Sequence, residues 1–167
     1  CMIFSIILIS AGAQEEFKNT QRSKAQIAIL GITDDQLSSL RQNKDVQWIG
    51  EYAAIGLFYS GNKTITVAYG SEDYFTHQEE MSLQGSIPQK ANEIMLPQNY
   101  IDFLGESYRP GDTITFDVTG TGDEAEYTLS GILNEDRKSD GYFVYLSKDL
   151  AMSLMDHLQV TAYTRLN

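Results

Sequence analysis

Residues 93–133, EIMLPQNYIDFLGESYRPGDTITFDVTGTGDEAEYTLSGIL, decide the fold of this chain. The apolar run EIMLP at 93–97 predicts a buried strand that runs directly into a helix. The helix is expected over 99–105, with Gly105 as its stop, because glycine commonly follows the last helical residue. The first third of the stretch therefore predicts a strand and a short helix in succession.

A turn and a β-hairpin follow this helix. Arg109-Pro110-Gly111-Asp112 predicts a turn, since glycine frees φ and aspartate hydrogen-bonds nearby backbone. Residues 113–118, TITFDV, alternate in polarity, and residues 127–133, YTLSGIL, form the expected return strand. A long glycine-rich, acidic insert at 119–125 leaves the geometry of the hairpin tip open.

The chain upstream begins with a predicted strand and helix. Residues 25–32, AQIAILGI, contain enough isoleucine and leucine to predict a buried strand. Thr33 and Gln36 have the spacing of a capping box for a short helix with one apolar side, and residues 43–45 are expected to end it.

Two further strands are expected before residue 71. The strand that starts at Val46 is predicted to break at Gly50 and at the small residues Ala53 and Ala54. Residues 55–69 then predict a hairpin, with one buried side that carries Ile65, Val67 and Tyr69. Ser71 is expected to cap a short helix, which an irregular link containing Gly85 and Pro88 joins to the stretch described first.

The end of the chain predicts a strand, a helix and a final strand. The run YFVYL at 142–146 is strongly β-prone, and Ser147 is positioned to cap the helix after it. The last strand, at 159–166, comes after the second group of elements is complete. It is therefore expected to pair back with the first strands and to bring the two chain ends together. This predicts an α+β fold in which 71–158 is inserted between 25–70 and 159–167.

The N-terminus carries an uncharged apolar run. Residues 1–13, CMIFSIILISAGA, are followed by the polar stretch 14–24. The run is shorter than the ~20 residues that a bilayer span needs, and it lacks a basic leader. We interpret it as the outer end of a transmembrane helix with 14–24 as a linker; the alternative is a buried N-terminal strand or helix.

Composition excludes several classes of function. The formal net charge is −11, which repels nucleic acid and anionic lipid headgroups. Cys1 is the only cysteine, so neither an internal disulfide nor a cysteine-rich metal site can form.

Catalytic motifs are absent from the sequence, and no catalytic, cofactor-binding or metal-binding residue is predicted. His77 stands near Glu79 and Glu80, but a metal needs three or four converging ligands, so a solvated helix face is the better interpretation. His157 suits a helix C-terminus on electrostatic grounds alone. The acidic groups are interpreted as first-turn helix acids or solvated loops; they are Asp34/Asp35, Glu79/Glu80, Asp123/Glu124/Glu126 and Glu135/Asp136/Asp140.

Three other features have both structural and functional interpretations. Asn62-Lys63-Thr64 matches a glycosylation sequon but is explained by turn chemistry at a hairpin tip. The aromatic residues of the 142–146 run could form an exposed binding surface, although alternate burial of a strand accounts for most of them. Trp48 is equally compatible with the core and with the surface.

The order of elements resembles the extracytoplasmic domain of FtsX-like/MacB-like ABC transporter permeases. In that family a strand, a helix ending near "LG", a "GD-T-I" turn and a strand ending "GIL" build the membrane-distal lobe. The matching residues here are Leu104-Gly105, the turn GDTI at 111–114 and Gly131-Ile132-Leu133. The order of elements matches over the whole chain, whereas the distinctive sequence motifs are confined to about 85–146. The insert at 119–125 departs from the family pattern.

The resemblance implies a two-lobed extracytoplasmic domain preceded by the end of a transmembrane helix. A small α/β sandwich lobe (25–70 plus 159–167) would be membrane-proximal, and the inserted, mixed β-rich lobe (71–158) membrane-distal. It implies a non-catalytic role without cofactors, in which ATPase-driven motion is coupled to the handling or export of a peptide, lipoprotein or antibiotic. The implied partners are an ABC ATPase subunit, a second permease subunit and the membrane, with this domain periplasmic or extracellular.

A second function remains open at the level of sequence. The chain could be a ligand-binding or sensor domain anchored by a single membrane helix, recognising its ligand through 142–145 or the first-lobe sheet. A hydrolase has no motif in its support.

Overall fold

A computed structural model describes residues 24–79, 81–135 and 141–167. Within them the chain forms nine strands and four helices, which we number in chain order. The elements are β1 (Ile27–Ile29), α1 (Asp34–Gln42), β2 (Val46–Ser60), β3 (Lys63–Gly70), α2 (Glu72–Thr76), β4 (Met81–Gly85), β5 (Glu93–Pro97), α3 (Gln98–Leu104), β6 (Thr113–Phe116), β7 (Ala125–Glu135), β8 (Gly141–Leu146), α4 (Lys148–Leu154) and β9 (Thr161–Leu166).

All nine strands lie in one mixed sheet. Its order is β1-β9-β2-β3-β8-β5-β7-β4, and β6 pairs with β7. The strands of 25–70 and 159–167 lie in one half of this order and the strands of 71–158 in the other. The halves are not separate sheets, because β3 and β8 pair in parallel over six residues from Thr64↔Gly141 to Tyr69↔Leu146. The mixed α and β content is as predicted, and the division into two lobes stays a prediction.

The last strand returns to the first, as expected from the sequence. Strand β9 lies between β1 and β2 and is antiparallel to both, with Ile27 opposite Thr164 on one side and Gly50 opposite Tyr163 on the other. The Gln26 N–H donates to the carbonyl of Thr164 at 2.9 Å. Entry into the fold and exit from it are therefore neighbours at one side of the sheet.

Both faces of the sheet are covered, which gives two main cores. Ile65 and Val67 of β3 belong to the core beneath α3 and α4, whereas Ala68, their neighbour, belongs to the core beneath α2. Alternation along a strand explains this division, since successive side chains point to opposite faces. The first core is aliphatic and aromatic; the second is mostly aromatic, with Tyr74 packed 5.6 Å from Tyr163 between ring centroids.

Helix ends lie where the sequence places them. Thr33 and Gln36 form the predicted capping box of α1, with hydrogen bonds of 3.3 and 3.0 Å. Ser71 caps α2 and Ser147 caps α4 through their side-chain oxygens. Gly105 ends α3 in the left-handed region, at φ 71°, which glycine adopts without the steric cost of a Cβ atom.

The predicted break in β2 is wrong. The strand runs without interruption from Val46 to Ser60, with one register shift against β9 between Val46 and Trp48 and one against β3 between Ala54 and Gly56. Gly50 serves a different purpose: a Cβ atom there would lie 2.7 Å from the Cα of Tyr74. The glycine lets α2 approach the sheet closely, and it does not end the strand.

Two more expectations differ from the structure. The link before residue 93 contains strand β4, which the sequence analysis missed because its alternating run MSLQG is only five residues long and most of it is exposed. Strand β1 spans three residues only, and Leu30, expected to be buried, is 50% exposed. An edge strand needs less apolar surface than a central one, so its sequence signal is weaker.

The predicted membrane segment (1–13) and linker (14–24) lie outside the described residues, except for Lys24. Among the residues that are described, no helix is both long and apolar enough to cross a bilayer.

Substitution of Gly50 by alanine tests the close approach of α2. We expect Gly50→Ala to lower the free energy of unfolding by about 1–3 kcal/mol, because the new Cβ would meet the backbone of Tyr74. Gly56→Ala in the same strand is the matched control, since no atom lies within 4 Å of its Cβ position. Urea unfolding of both variants measures the difference. Equal stability of the two would contradict the packing described here.

Candidate functional site

The most unusual side chain in the described structure is the carboxylate of Glu51. It belongs to β2 and is 5% exposed, although the chain as a whole carries an excess of acid. Glu51 and Ala53 lie two residues apart in the strand and share the face covered by α1 and α4. A buried carboxylate is costly unless it is paired, so its surroundings decide whether the fold tolerates it.

Two cations from different helices pair with this carboxylate. Arg41 in the last turn of α1 contacts Oε1, and the Lys148 ammonium at the start of α4 lies 3.3 Å from Oε2. The backbone of Glu51 is also paired, since its N–H donates to Ser71 Oγ at 2.8 Å and its carbonyl accepts from the Ser71 N–H at 2.9 Å. We call Arg41, Glu51 and Lys148 the Glu51 cluster.

The position of Lys148 supports a specific role for its charge. A cation at the first position of a helix is opposed by the helix dipole, so α4 alone would disfavour lysine there. Its ammonium lies between Glu51 and the ring of Tyr69, 5.8 Å from the ring centroid. Burial, followed by the nearby charge of Glu51, raises the pKa of Tyr69 to about 12, so its phenol stays protonated at neutral pH.

The two cations are more exposed than the acid they bind. The side chains of Arg41 and Lys148 are 52% and 46% exposed, against 6% for Glu51. If the carboxylate lost its charge, both cations could recover hydration, whereas the carboxylate cannot do so if the cations are lost. The cluster therefore depends on its cations more than they depend on it.

A polar cleft of about 380 Å³ adjoins the cluster. Its lining includes Arg41, Glu51, Trp48 and the start of α2, where Glu72 and Asp73 lie. No group of three or more histidine, cysteine, aspartate or glutamate side chains gathers to hold a metal in residues 24–79, 81–135 and 141–167. The single Glu51 carboxylate is compensated by two cations from different helices, which suits the cluster to join α1 and α4.

Sequence reasoning missed Glu51. One signal was present in the sequence: Glu51 is the only charged residue in the long strand 46–60, and it is followed by the apolar residues Tyr52 and Ala53. Its partner Lys148 is 97 residues away in sequence. The pairing could not be derived without knowing that α1 and α4 cover the same face.

The two histidines lie in different settings. His77 stacks on Trp48 with ring centroids 4.0 Å apart and planes within 6°, and its Nδ1 lies 2.9 Å from the carbonyl of Asp73. It is half-buried, so its interpretation as part of a solvated helix face is corrected; Trp48 is half-buried as its partner. His157 is exposed, two residues beyond the C-cap of α4 at Met155.

Most of the acidic groups that are described are solvated charges; Glu135 is the exception, since it is half-buried and one of its carboxylate oxygens is shielded from solvent. Asp34 and Asp35 occupy the first turn of α1, as predicted. Asp123, Glu124 and Glu126 are exposed. Glu80, Asp136 and Asp140 lie outside the described residues.

The insert in the β6–β7 hairpin is organised by one carboxylate, which the sequence analysis did not single out. Asp117 accepts hydrogen bonds from the Thr119 hydroxyl at 2.7 Å and from the N–H groups of Thr119, Gly120 and Gly122 at 2.7–2.9 Å. Partial burial alone would raise the pKa of Asp117, but these hydrogen bonds outweigh it and hold the pKa below its ordinary value. The glycines at 120 and 122 adopt positive φ, which lets their N–H groups turn inward.

The aromatic run 142–146 is not an exposed binding surface. Phe143 is 6% exposed and Tyr145 is fully buried, in the core beneath α2. Tyr142 is half-buried on the other face, with its ring 4.9 Å from that of Tyr100. The sequon at 62–64 follows Gly61, at φ 63°, in the two-residue turn between β2 and β3, so turn chemistry explains it as predicted.

The fold is that of extracytoplasmic domains of ABC transporter permeases. Three solved structures share it: a domain of a putative permease protein from Porphyromonas gingivalis (TM-score 0.55, 15% identity, 78% of this chain and 66% of that one), the periplasmic region of MacB from Actinobacillus actinomycetemcomitans (0.57, 14%, 83% and 67%), and the extracellular domain of the noncanonic ABC-type transporter YknZ from Gram-positive bacteria (0.58, 13%, 81% and 73%).

A curated relative is similar in sequence as well. The chain is 28% identical over 128 residues to the putative hemin transport system permease protein HrtB of Staphylococcus haemolyticus. The match covers 74% of this chain and 33% of the relative, so the chain spans about a third of the length of that protein. No protein-family profile matches the chain. The resemblance to MacB-like extracytoplasmic domains, inferred above from residues 85–146, is confirmed.

The dependence of the Glu51 cluster on its cations can be measured. Arg41→Met combined with Lys148→Met leaves a buried carboxylate without a counter-charge and is expected to lower the free energy of unfolding by about 3–5 kcal/mol. Glu51→Gln leaves two half-exposed cations and is expected to cost about 1–2 kcal/mol. Lys90→Met, in the exposed pair with Glu93, is the control, at about 0–1 kcal/mol. A larger loss for Glu51→Gln than for the double variant would contradict this account.

The hydrogen bonds to Asp117 predict a pH dependence of stability. Because its pKa is lower in the folded chain than the value of about 3.9 expected unfolded, its contribution is complete above that value. The contribution is lost as the pH falls through the lower, folded value. We expect Asp117→Asn to cost at least about 1 kcal/mol at neutral pH and progressively less on acidification.

Urea unfolding across a pH series compares this variant with Asp123→Asn, an exposed acid in the same loop. The control is expected to show a small difference from wild type that changes little with pH. A cost of Asp117→Asn that is independent of pH would show that its carboxylate charge does not organise the loop.

Proposed function

We propose that this chain is the extracytoplasmic domain of an ABC transporter permease subunit, which couples ATPase-driven motion to the handling or export of a substrate outside the cytoplasm. The observation that supports this most strongly is the position of β9 between β1 and β2. A domain whose two ends leave side by side can be inserted between two membrane helices without a long linker. The similarity to extracytoplasmic permease domains agrees with this arrangement.

The Glu51 cluster gives this proposal a physical basis. Helix α1 follows the first strand of the fold, and α4 precedes the last one. If one membrane attachment moved relative to the other, the force would pass between these two helices through the Glu51 carboxylate, which contacts both. The β3–β8 ladder would then carry the displacement from lobe 25–70 plus 159–167 into lobe 71–158, because it is the contact between their strands in the sheet order.

The proposal includes partners and a location. ATP hydrolysis would belong to a separate ATPase domain or subunit, and a second permease subunit would complete the transporter. Residues 1–13 would be the outer end of a membrane helix, so the domain would be periplasmic or extracellular. We assign it no catalytic role, since both oxygens of the Glu51 carboxylate are engaged by cations.

The substrate is proposed as a class. A peptide, a lipoprotein or an antibiotic fits a mechanical outer domain. Since the relative from Staphylococcus haemolyticus is named as a putative hemin transport permease, hemin is the first defined compound to test.

The alternative of a sensor anchored by a single helix has less support. It proposed ligand recognition through 142–145 or through the first-lobe sheet, and in the first of these Phe143, Val144 and Tyr145 are buried. It differs from the permease proposal in one respect that can be checked directly, because it requires no membrane segment after Asn167.

Reconstitution of the parent protein with its ATPase tests the proposal. Replacement of 25–166 by a short Gly-Ser linker is geometrically permitted, because Gln26 and Thr164 are hydrogen-bonded neighbours. We expect ATP hydrolysis in proteoliposomes to persist while export, assayed first with hemin and then with peptide and antibiotic panels, is lost.

Glu124→Gln, an exposed change in the intact domain, is the control and should leave export unchanged. Export that survives the replacement would contradict a coupling role. A parent protein without a second hydrophobic segment beyond Asn167 would contradict the permease assignment itself.

A further inference from the structure

Strand β4 forms one end of the sheet and pairs on one side only. Its partner is β7, from Met81↔Glu135 to Gly85↔Gly131, and the sheet order ends with it. Among the described residues no strand lies on its outer side. Ser82, Leu83, Gln84 and Gly85 are all exposed.

The hydrogen-bonding direction of each β4 residue can be worked out. The Ser86 N–H donates to the carbonyl of Ser130 at 2.9 Å, and the same register makes these two residues opposite each other. In an antiparallel ladder, bonded and non-bonded pairs alternate, so Ser82 and Gln84 bond to β7. The N–H and C=O groups of Leu83 and Gly85 therefore point away from the sheet.

Within residues 24–79, 81–135 and 141–167, this edge lacks the usual protection against pairing. Natural edge strands are commonly blocked by charged residues, proline or a covering segment. The sequence of β4, MSLQG, contains neither charge nor proline, and the side chain of Leu83 is 39% exposed. At the opposite edge of the sheet, β1 offers three residues only.

A cleft of about 580 Å³, lined mainly by polar residues, lies beside the start of this edge. It is lined by Met81 and Ser82 together with side chains from α3 and the end of β7, among them Asp102 and Glu135. Gln98 Nε2 donates to one oxygen of Asp102 at 2.8 Å. Carboxylate oxygens are strong hydrogen-bond acceptors, so Asp102 and Glu135 suit a donor-rich cationic side chain.

We propose that β4 is a docking edge for an extended polypeptide segment of another protein, which adds to the sheet as a strand and places a lysine or arginine side chain in the Asp102 cleft. Backbone hydrogen bonds to Leu83 and Gly85 would supply affinity, and the cleft would supply selectivity. The net charge of −11 favours a basic segment and opposes pairing of two copies of this chain. The inference rests on the edge and its cleft, and it holds whether or not the chain belongs to a transporter.

The test uses two capped heptapeptides with the ¹⁵N-labelled chain at low salt. Both alternate threonine and valine, and they differ in a central lysine or glutamate. We expect the lysine peptide to shift the amide resonances of Leu83 and Gly85 and to slow their hydrogen exchange. Its Kd is expected to be at least about fivefold lower than that of the glutamate peptide, which corresponds to roughly 1 kcal/mol of charge selectivity.

Two variants separate the edge from the cleft. Leu83→Pro removes an outward N–H without removing a bond to β7, so binding of both peptides should be lost while thermal stability stays close to wild type. Asp102→Asn should reduce the preference for lysine and keep binding; Glu124→Gln, the same charge change at a distant exposed site, should keep both. If Leu83→Pro is unfolded, the Asp102 and Glu124 comparison still decides the cleft.

Three results would overturn the proposal. The amides of Leu83 and Gly85 could be protected from exchange in the free chain, which would show that another part of this chain covers the edge. Sedimentation could show a dimer that Leu83→Pro abolishes, which would make a second copy the occupant. The third result is the absence of any difference between the peptides: either neither peptide perturbs the edge at millimolar concentration, or both bind with equal Kd.

Discussion

The insertion of β9 between β1 and β2 is the constraint on which the rest of the structure depends. Strands β1 and β2 are neighbours in sequence, yet they do not pair; each bonds to the last strand of the chain instead. The first strands therefore reach their final arrangement only when residues 161–166 are in place. Long-range pairing of this kind places the first and last strands together at one side of the sheet, and the other elements lie between them in sequence.

The β3–β8 ladder and the Glu51 cluster both connect 25–70 plus 159–167 with 71–158, and they differ in strength. The β3–β8 ladder pairs six residues on each strand, and each backbone hydrogen bond contributes about 1 kcal/mol net. The Glu51 cluster adds one charge-compensated contact between helices, whose net contribution is limited by the cost of burying the carboxylate. The ladder holds the sheet together, and the cluster fixes how α1 and α4 lie on it. A domain that transmits motion needs both a stiff sheet and a defined helix layer.

Local features of the fold could be predicted from the sequence, because short-range chemistry determines them. The capping box at Thr33, the glycine stop at Gly105 and the 113–133 hairpin each follow from residues within a few positions of one another. Apart from the return of β9 to the first strands, features that depend on distant partners could not. Gly50 predicted a strand break because Tyr74, the backbone it accommodates, is not visible as a neighbour in sequence.

The same limit explains the site. The local sequence alone does not show that Glu51 is buried. It becomes a buried, doubly paired carboxylate only because α1 and α4 pack on the same face of the sheet. Strand β4 was missed because it is short and mostly exposed, and its position at the end of the sheet order is what leaves its backbone accessible. The distinctive motifs of the resemblance to permease domains lie in 85–146, where the order of helices and strands matches the order in that family.

Cross-strand NOEs between backbone amide and Hα protons in the ¹³C,¹⁵N-labelled chain test the central claim most directly. The account predicts contacts of Tyr163 with Ala28 on one side and with Gly50 on the other, observed in the same sample. Contacts between β1 and β2 themselves, with 161–166 outside the sheet, would contradict it.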